Sequence, residues 1–165
     1  MDTVYIETSI ISHATARPTS DLATAALQDW ARRWMDEQRR NYDVVTSQLV
    51  VTEATAGDSE AAARRLAMLA DIPILAENPD ANVIADELLR RTLVPPNARV
   101  DALHVAIAAL AGVQYLLTLN CRHIANASML PRIYRLLDEL GISGILICTP
   151  LEFLGGPNNV NQPNP

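Results

Sequence analysis

Residues 98–118 of the chain read ARVDALHVAIAALAGVQYLLT, a helical pattern followed by a short strand pattern. After Arg99, only Asp101 and His104 are polar up to residue 111, which predicts a helix that is apolar on nearly every face and therefore buried. Gly112 is expected to end that helix, and residues 115–118 have the composition of a strand. A buried helix beside a short, continuously apolar strand is typical of a parallel sheet covered by helices.

The same alternation extends outward in both directions along the chain. Strands are predicted at 4–6, 44–46, 73–75, 115–118 and 145–147. Helices are predicted from Asp21 to about 41, from Ser47 to about 57, and at 58–70, 79–93, 98–111, 129–140 and from Pro150. Asp21, Ser47 and Asp58 are the candidate N-caps of the first three. The assignment of the second of these helices is ambiguous, because the β-branched run at 50–52 could instead extend the preceding strand. We therefore expect a single α/β domain over residues 1–154, with a central parallel sheet of about five strands and helices on both faces. The Gly-, Pro- and Asn-rich residues 155–165 are expected to form a flexible tail.

The amino-acid composition excludes several classes of function. The 165 residues include 13 basic side chains, all of them arginine, and no lysine. This excludes a P-loop nucleotide-binding lysine, a Schiff-base lysine and a protein kinase. The net charge of −6 means that a nucleic-acid ligand would need local compensation, such as a bound metal ion. The two cysteines and the lack of a long apolar run favour a cytoplasmic protein without a membrane span.

Four polar side chains are placed where a parallel sheet forms its binding edge, beyond the carboxyl ends of the strands. Glu7 and Asn120 follow predicted strands, Glu53 lies on the helix after the second strand, and Asp101 lies in the first turn of the buried helix. Carboxylates that share a site repel one another unless a cation is bound. Mg²⁺ or Mn²⁺ suits oxygen ligands of this kind and can promote phosphodiester cleavage.

Each of these residues also has a structural interpretation. Asp101 could cap its helix, Glu7 with Thr8 and Ser9 could begin a helix, Glu53 could be solvated and Asn120 could be a loop residue. His104, three residues after Asp101, could equally be a buried histidine whose ring nitrogens are hydrogen-bonded within the core, or a functional residue. Their joint placement, rather than any single residue, favours a common site.

The segments that carry these residues resemble PIN domains, and most of all the toxin nucleases of VapBC-type toxin–antitoxin pairs. The resemblance covers about residues 3–154. It rests on the four segments VYIETS at 4–9, the helix with Glu53, DALHVAIA at 101–108 and LLTLN at 116–120. It implies a metal-dependent endoribonuclease that uses Mg²⁺ or Mn²⁺, forms a homodimer and is inhibited by a small antitoxin protein.

The resemblance also implies site residues. Glu7, Glu53 and Asp101 would hold the metal ion, and Asn120 would complete the catalytic set. Glu7 stands where the family usually has Asp, and Asn120 where it often has Asp, so that the site has three formal negative charges rather than four. The auxiliary candidates are Thr8, Ser9, Thr118, His104, His123, Arg122 and Arg17, the two arginines as phosphate contacts.

Two alternatives remain open at this stage. The altered site could belong to a catalytically weakened PIN-like module that binds RNA or protein. An unrelated small-molecule enzyme could also use this kind of sheet, since a fold alone does not specify a function.

Overall fold

The computed structural model describes residues 1–154, and the tail predicted at 155–165 lies outside the described residues. Its centre is a four-stranded, fully parallel sheet in the order β2-β1-β3-β4. The strands are β1 (Thr3–Ile6), β2 (Asp43–Val45), β3 (Tyr115–Leu117) and β4 (Leu146–Cys148). All four therefore end at the same edge of the sheet, as the α/β prediction requires.

Eight α-helices within the described residues surround the sheet. They are α1 (Thr8–Thr15), α2 (Leu22–Arg33), α3 (Gln48–Ala54), α4 (Ser59–Leu69), α5 (Asp80–Arg90), α6 (Arg99–Leu110), α7 (Leu130–Glu139) and α8 (Pro150–Leu154). A π-helical turn over Trp34–Gln38 and a 3₁₀ turn over Arg39–Asn41 continue α2 to the end predicted for it.

Side-chain caps explain where three of these helices begin. Asp21 accepts a hydrogen bond from the backbone N–H of Thr24, Ser47 from that of Val50, and Asp58 from that of Ala61. Each cap satisfies an N–H group that the first helical turn leaves without a partner. The predicted starts of α2, α3 and α4 are confirmed, and the ambiguous run at 50–52 is helical.

The expected fifth strand is reduced to one parallel bridge between Thr46 and Ile74. The backbone N–H of Thr46 donates to the carbonyl of Pro73 at 2.9 Å, and Leu75 donates back to Thr46 at 2.8 Å. Pro73 has no N–H to donate, and this limits further pairing. The described sheet therefore has four strands.

Three helices differ from their predicted extent, and one of them, α3, ends at Ala54 rather than at about residue 57. The α1 helix was raised only as an alternative for residues 7–9, yet it follows β1 after a single residue. The α5 helix ends at Arg90 rather than 93, because Thr92 adopts a left-handed conformation with φ of 54°. The N–H of Leu93 then bonds to the carbonyl of Leu88, which closes the helix in a Schellman-type turn.

The α6 helix confirms the interpretation of the opening segment. Its residues Ala102, Val105, Ala106 and Ala108 are inaccessible to solvent, as are Leu116 and Leu117 of β3. No helix among residues 1–154 has the length and apolar character needed to cross a membrane.

Candidate functional site

The polar residues of interest lie at the edge where the strands end. Glu7 follows β1 directly and is the N-cap of α1, and its backbone N–H still donates to the carbonyl of Leu117 on β3. Glu7 is therefore fixed by the sheet on one side and by the helix on the other. It is only 5% exposed.

Hydroxyl and amide donors surround the Glu7 carboxylate. Oε1 accepts from the backbone N–H of Ser9 at 3.1 Å, and Oε2 accepts from the hydroxyl of Thr118 at 2.7 Å and from that of Ser9. These donors replace the water that burial removes. Within residues 1–154 the one basic side chain within 4.0 Å of this carboxylate is His104, at 3.9 Å. The buried charge thus has hydrogen bonds but no arginine partner.

Glu53 approaches the same place from α3. Its Oε2 accepts a hydrogen bond from His104 Nε2 at 2.7 Å and another from the Thr8 hydroxyl. Partial burial raises the pKa of Glu53, but the hydrogen bonds from His104 and Thr8 and the charge that His104 can carry outweigh burial, and the pKa lies below the ordinary glutamate value. Glu53 is therefore a carboxylate near neutral pH.

A buried hydrogen-bond chain supports Glu53 from behind. His104 has no solvent exposure, and its Nδ1 lies 2.8 Å from the Tyr5 hydroxyl, which lies 2.8 Å from Ser47 Oγ. The ionised Glu53 can only accept, so Nε2 of His104 carries a proton. In the neutral form of His104, Nδ1 accepts from Tyr5, and Tyr5 in turn accepts from Ser47. Burial is the main cause that raises the pKa of Tyr5, so the hydroxyl keeps its proton.

These contacts bring three potential metal ligands together. Glu7, Glu53 and His104, called the Glu7 group below, each offer one ligand atom, and these atoms lie within 4.8 Å of one another. Two neighbouring carboxylates repel each other, and a hard divalent cation that binds both would remove this repulsion. Both ring nitrogens of His104 are hydrogen-bonded, so the carboxylates of Glu7 and Glu53 are the ligands this arrangement makes available.

Asp101 belongs to a second set of contacts. Its Oδ1 accepts from Asn120 Nδ2 at 3.0 Å, and its Oδ2 lies 2.8 Å from His123 Nδ1. Asn120 Oδ1 also accepts from the backbone N–H of His123 at 3.1 Å. Asp101, Asn120 and His123 are called the Asp101 group below. Asp101 is not among the three residues with clustered ligand atoms.

Thr118 joins the two groups. Its hydroxyl donates to Glu7 Oε2 and accepts from the backbone N–H of Asn120 at 2.9 Å. Ser9 adds a second link, because its hydroxyl accepts from the backbone N–H of Leu119 at 2.8 Å. The sequence-predicted residues Thr8, Ser9 and Thr118 thus hold the carboxylates in place.

The two candidate phosphate arginines differ. Arg17 forms an exposed ion pair with Glu60 at 2.7 Å, so its guanidinium is already engaged. Arg122 is exposed, and its guanidinium has no hydrogen bond or ion pair within residues 1–154. Arg122 is therefore free to contact a ligand.

An apolar cleft of about 730 Å³ lies elsewhere, between the beginnings of α3 and α5 and the side of α6. It contains none of the predicted site residues and touches the hydrogen-bond chain only at Ser47. The chemistry-bearing side chains are at the sheet edge, not in this cleft.

Sequence reasoning did not assign Tyr5 a site role and treated Ser47 only as a helix cap. A tyrosine in an otherwise aliphatic strand was the available signal, since a buried hydroxyl needs a partner. That this partner is His104, 99 positions later, depends on how α6 packs against the sheet that contains β1.

The chain matches no protein-family model, and a search of curated proteins finds no match to it.

Proposed function

We propose that the chain is a metal-dependent endoribonuclease of the PIN type that cleaves RNA phosphodiester bonds with Mg²⁺ or Mn²⁺. The observation that carries this proposal is the convergence of Glu7, Glu53 and His104 at the C-terminal edge of a parallel sheet, with ligand atoms within 4.8 Å of one another. The order of the motifs along the sequence, and their similarity to PIN nucleases, supply the reaction class.

The residues present fit the ion. Glu7 and Glu53 would hold it through carboxylate oxygens, and Asp101 with Asn120 would lie beside it. When bound, a divalent ion lowers the pKa of water and stabilises charge on a phosphoryl group. It would also allow a chain of net charge −6 to accept a polyanion at this edge.

The protein's own groups have distinct tasks in this proposal. Thr8 and His104 donate hydrogen bonds to Oε2 of Glu53. Oε1 of Glu53 accepts no hydrogen bond within residues 1–154, and its role in this proposal is to orient water. Ser9 and Thr118 fix Glu7 against the end of β3. These contacts give the carboxylates defined positions before substrate arrives, which lowers the cost of organising the transition state.

The biological role rests on the resemblance alone. We propose that the chain is the toxin of a VapBC-type pair, that it forms a homodimer and that a small antitoxin protein blocks the acidic edge, by presenting arginine or lysine to Glu7 and Glu53.

One observation favours a second candidate. Asp101, whose oxygens contact Asn120 and His123, is not among the residues with clustered ligand atoms, so the cluster contains two carboxylates rather than three. A site with only two carboxylates binds metal less tightly, and the chain would then be a weakened PIN-like module that binds RNA or protein.

Cleavage of a mixed RNA pool tests the proposal. Purified protein, free of any antitoxin, is assayed with Mn²⁺, with Mg²⁺ and with chelator, beside Glu53→Gln and Asp101→Asn. The matched control is Glu77→Gln, an exposed glutamate that belongs to neither the Glu7 group nor the Asp101 group and has no hydrogen bond or ion pair within residues 1–154. We expect metal-dependent cleavage that is lost in Glu53→Gln and retained in Glu77→Gln.

The other outcomes separate the candidates. RNA binding without cleavage by the folded wild type would favour the binding module. A folded protein that neither binds nor cleaves RNA, in any of these buffers, would overturn the proposed function.

A further inference from the structure

A small cleft lies next to the Asp101 group. It has a volume of about 160 Å³ and is formed by residues 92–96 on one side and by Arg122, His123, Asn126 and Met129 on the other. It is called the Arg122 cleft below. Apolar groups predominate in its lining, which includes the rings of Pro95 and Pro96. Since His123 also contacts Asp101, the cleft opens beside the proposed reaction site.

Two polar groups in this cleft lack a partner within residues 1–154. The Arg122 guanidinium forms no ion pair or hydrogen bond there, although nine of the 13 arginines do. Asn126, by contrast, is occupied: its amide donates to the Arg122 carbonyl, and its side-chain oxygen accepts from Ser128. The cleft thus combines an arginine whose guanidinium is free with a mainly apolar lining.

The second free group is His123 Nε2, and its chemical character is set by Asp101. The carboxylate accepts from Nδ1 at 2.8 Å, so Nδ1 carries the proton and, in the neutral ring, Nε2 has a lone pair. The backbone N–H of His123 is also fixed, by Asn120 Oδ1. The ring therefore holds a hydrogen-bond acceptor on the side opposite Asp101.

A ligand that satisfies both groups must combine an anion with a hydrogen-bond donor. A ribonucleotide does so, because its phosphate suits a guanidinium and its 2′-hydroxyl can donate. Its base also has an apolar face that can pack on proline and methionine side chains. A deoxyribonucleotide has the phosphate and the base but lacks the 2′-hydroxyl donor.

We propose that the Arg122 cleft binds a ribonucleotide adjoining the bond to be cut, with His123 Nε2 accepting a hydrogen bond from the ribose 2′-hydroxyl and Arg122 contacting the phosphate. This inference rests on the proposed function and adds the basis on which the site distinguishes RNA from DNA. Asp101 is a positioning residue for His123 in this role.

Oligonucleotide binding tests the inference without depending on catalysis. Three labelled probes of the same random sequence are compared: RNA, DNA and 2′-O-methyl RNA. The methyl ether keeps the 2′-oxygen but cannot donate, so it separates donation from the presence of the oxygen. Binding is measured in Ca²⁺, another oxygen-seeking cation, and probe integrity is checked afterwards by gel.

We expect wild type to bind RNA about tenfold more tightly than either other probe, the effect of one hydrogen bond made or lost. His123→Ala should bind all three probes at the level that wild type shows for DNA. Arg122→Ala should weaken binding to all three by a similar factor and reduce the salt dependence by about one counterion.

Two variants serve as matched controls. Arg40→Ala removes the same charge from an exposed arginine just before β2, at the opposite edge of the sheet. His13→Ala removes a half-buried histidine from α1. Both should keep the wild-type preference for RNA, and thermal melting confirms that all four variants are folded.

The results separate this inference from the proposed function. Wild type that binds RNA and DNA equally, or His123→Ala that keeps the preference for RNA, overturns the inference and leaves the nuclease assignment intact. Wild type that neither binds nor cleaves any probe overturns both.

Discussion

The Glu7 group and the Asp101 group are built at the same edge of one sheet, yet their surroundings differ. Glu7 and His104 are almost completely buried and are held by Ser9, Thr118 and Tyr5. In the Asp101 group the side chains are partly open, with 19% exposure for Asp101 and 25% for His123. Within residues 1–154 the first group has two carboxylates with no arginine partner, whereas the second has a free acceptor beside a free guanidinium.

This difference indicates a division of labour. Buried carboxylates with fixed donors are suited to hold an ion, because their geometry is set before the ion binds. A partly open imidazole beside a cleft is suited to meet a substrate that enters from solvent. The α6 helix supplies a residue to each group, His104 to the first and Asp101 to the second, and Thr118 connects the two groups through one hydroxyl.

Removing a carboxylate from either group gives the largest expected contrast. Glu7→Gln should lower Mn²⁺ affinity by about ten- to a hundredfold and cleavage by about a hundredfold or more, since a ligand charge is lost. Asp101→Asn should lower cleavage but change Mn²⁺ affinity by less than about threefold. Titration calorimetry with Mn²⁺ measures the affinity of each variant. Equal losses of affinity in the two variants would show that both groups belong to one metal site.

Breaking the chain behind the Glu7 group should cost stability. Tyr5→Phe leaves His104 Nδ1 and the Ser47 hydroxyl buried with one partner fewer, a cost of about 1–3 kcal/mol. Chemical denaturation gives the free energy of unfolding. Tyr115→Phe is the matched control, because its hydroxyl has no hydrogen bond within residues 1–154; equal destabilisation by both variants would argue against the chain.

The lowered pKa of Glu53 predicts a pH dependence. A carboxylate with a folded-state pKa below its unfolded value stabilises the protein above the unfolded value, and this contribution is lost as pH falls through the folded pKa. The stability difference between wild type and Glu53→Gln should therefore shrink as pH falls below 4.5, the ordinary glutamate value. Denaturation curves across this range measure it, and a constant difference would contradict the assigned hydrogen bonds.

The smallest expected effect is a change in stability on substituting Thr92, which lies in the lining of the Arg122 cleft. Thr92 has φ of 54°, a conformation that disfavours β-branched residues. Thr92→Gly should range from neutral to about 1 kcal/mol more stable, since relief of strain is partly offset by the flexibility glycine adds to the unfolded chain. Gly112→Ala, at φ of 66°, should destabilise instead. Thermal melts compare the two, and destabilisation by Thr92→Gly would show that the threonine side chain has a structural role.

Much of the fold was readable from local pattern. The caps at Asp21, Ser47 and Asp58 are encoded within three residues of each helix start, and the prediction of each was confirmed. Two features could not be predicted from local pattern. The extent of strand pairing at residue 74 depends on the neighbouring strand, and the early end of α5 depends on the conformation of Thr92.

For the candidate site, the residue types and the edge of the sheet could be named in advance, but not the partners. Asp101 and His104 are three residues apart on α6, yet one contacts His123 and the other contacts Glu53. Spacing along a helix cannot distinguish these contacts, since each is set by the loop or helix that packs against it.

The sequence by itself determined an α/β chain whose strands end in acidic, hydroxyl and amide side chains, because short-range periodicity and caps act within a few residues. Only the tertiary structure decided that Glu7, Glu53 and His104 meet while Asp101 turns to Asn120 and His123. The physical reason is that these contacts join positions up to 111 residues apart, and their geometry follows from strand register and packing rather than from local preference.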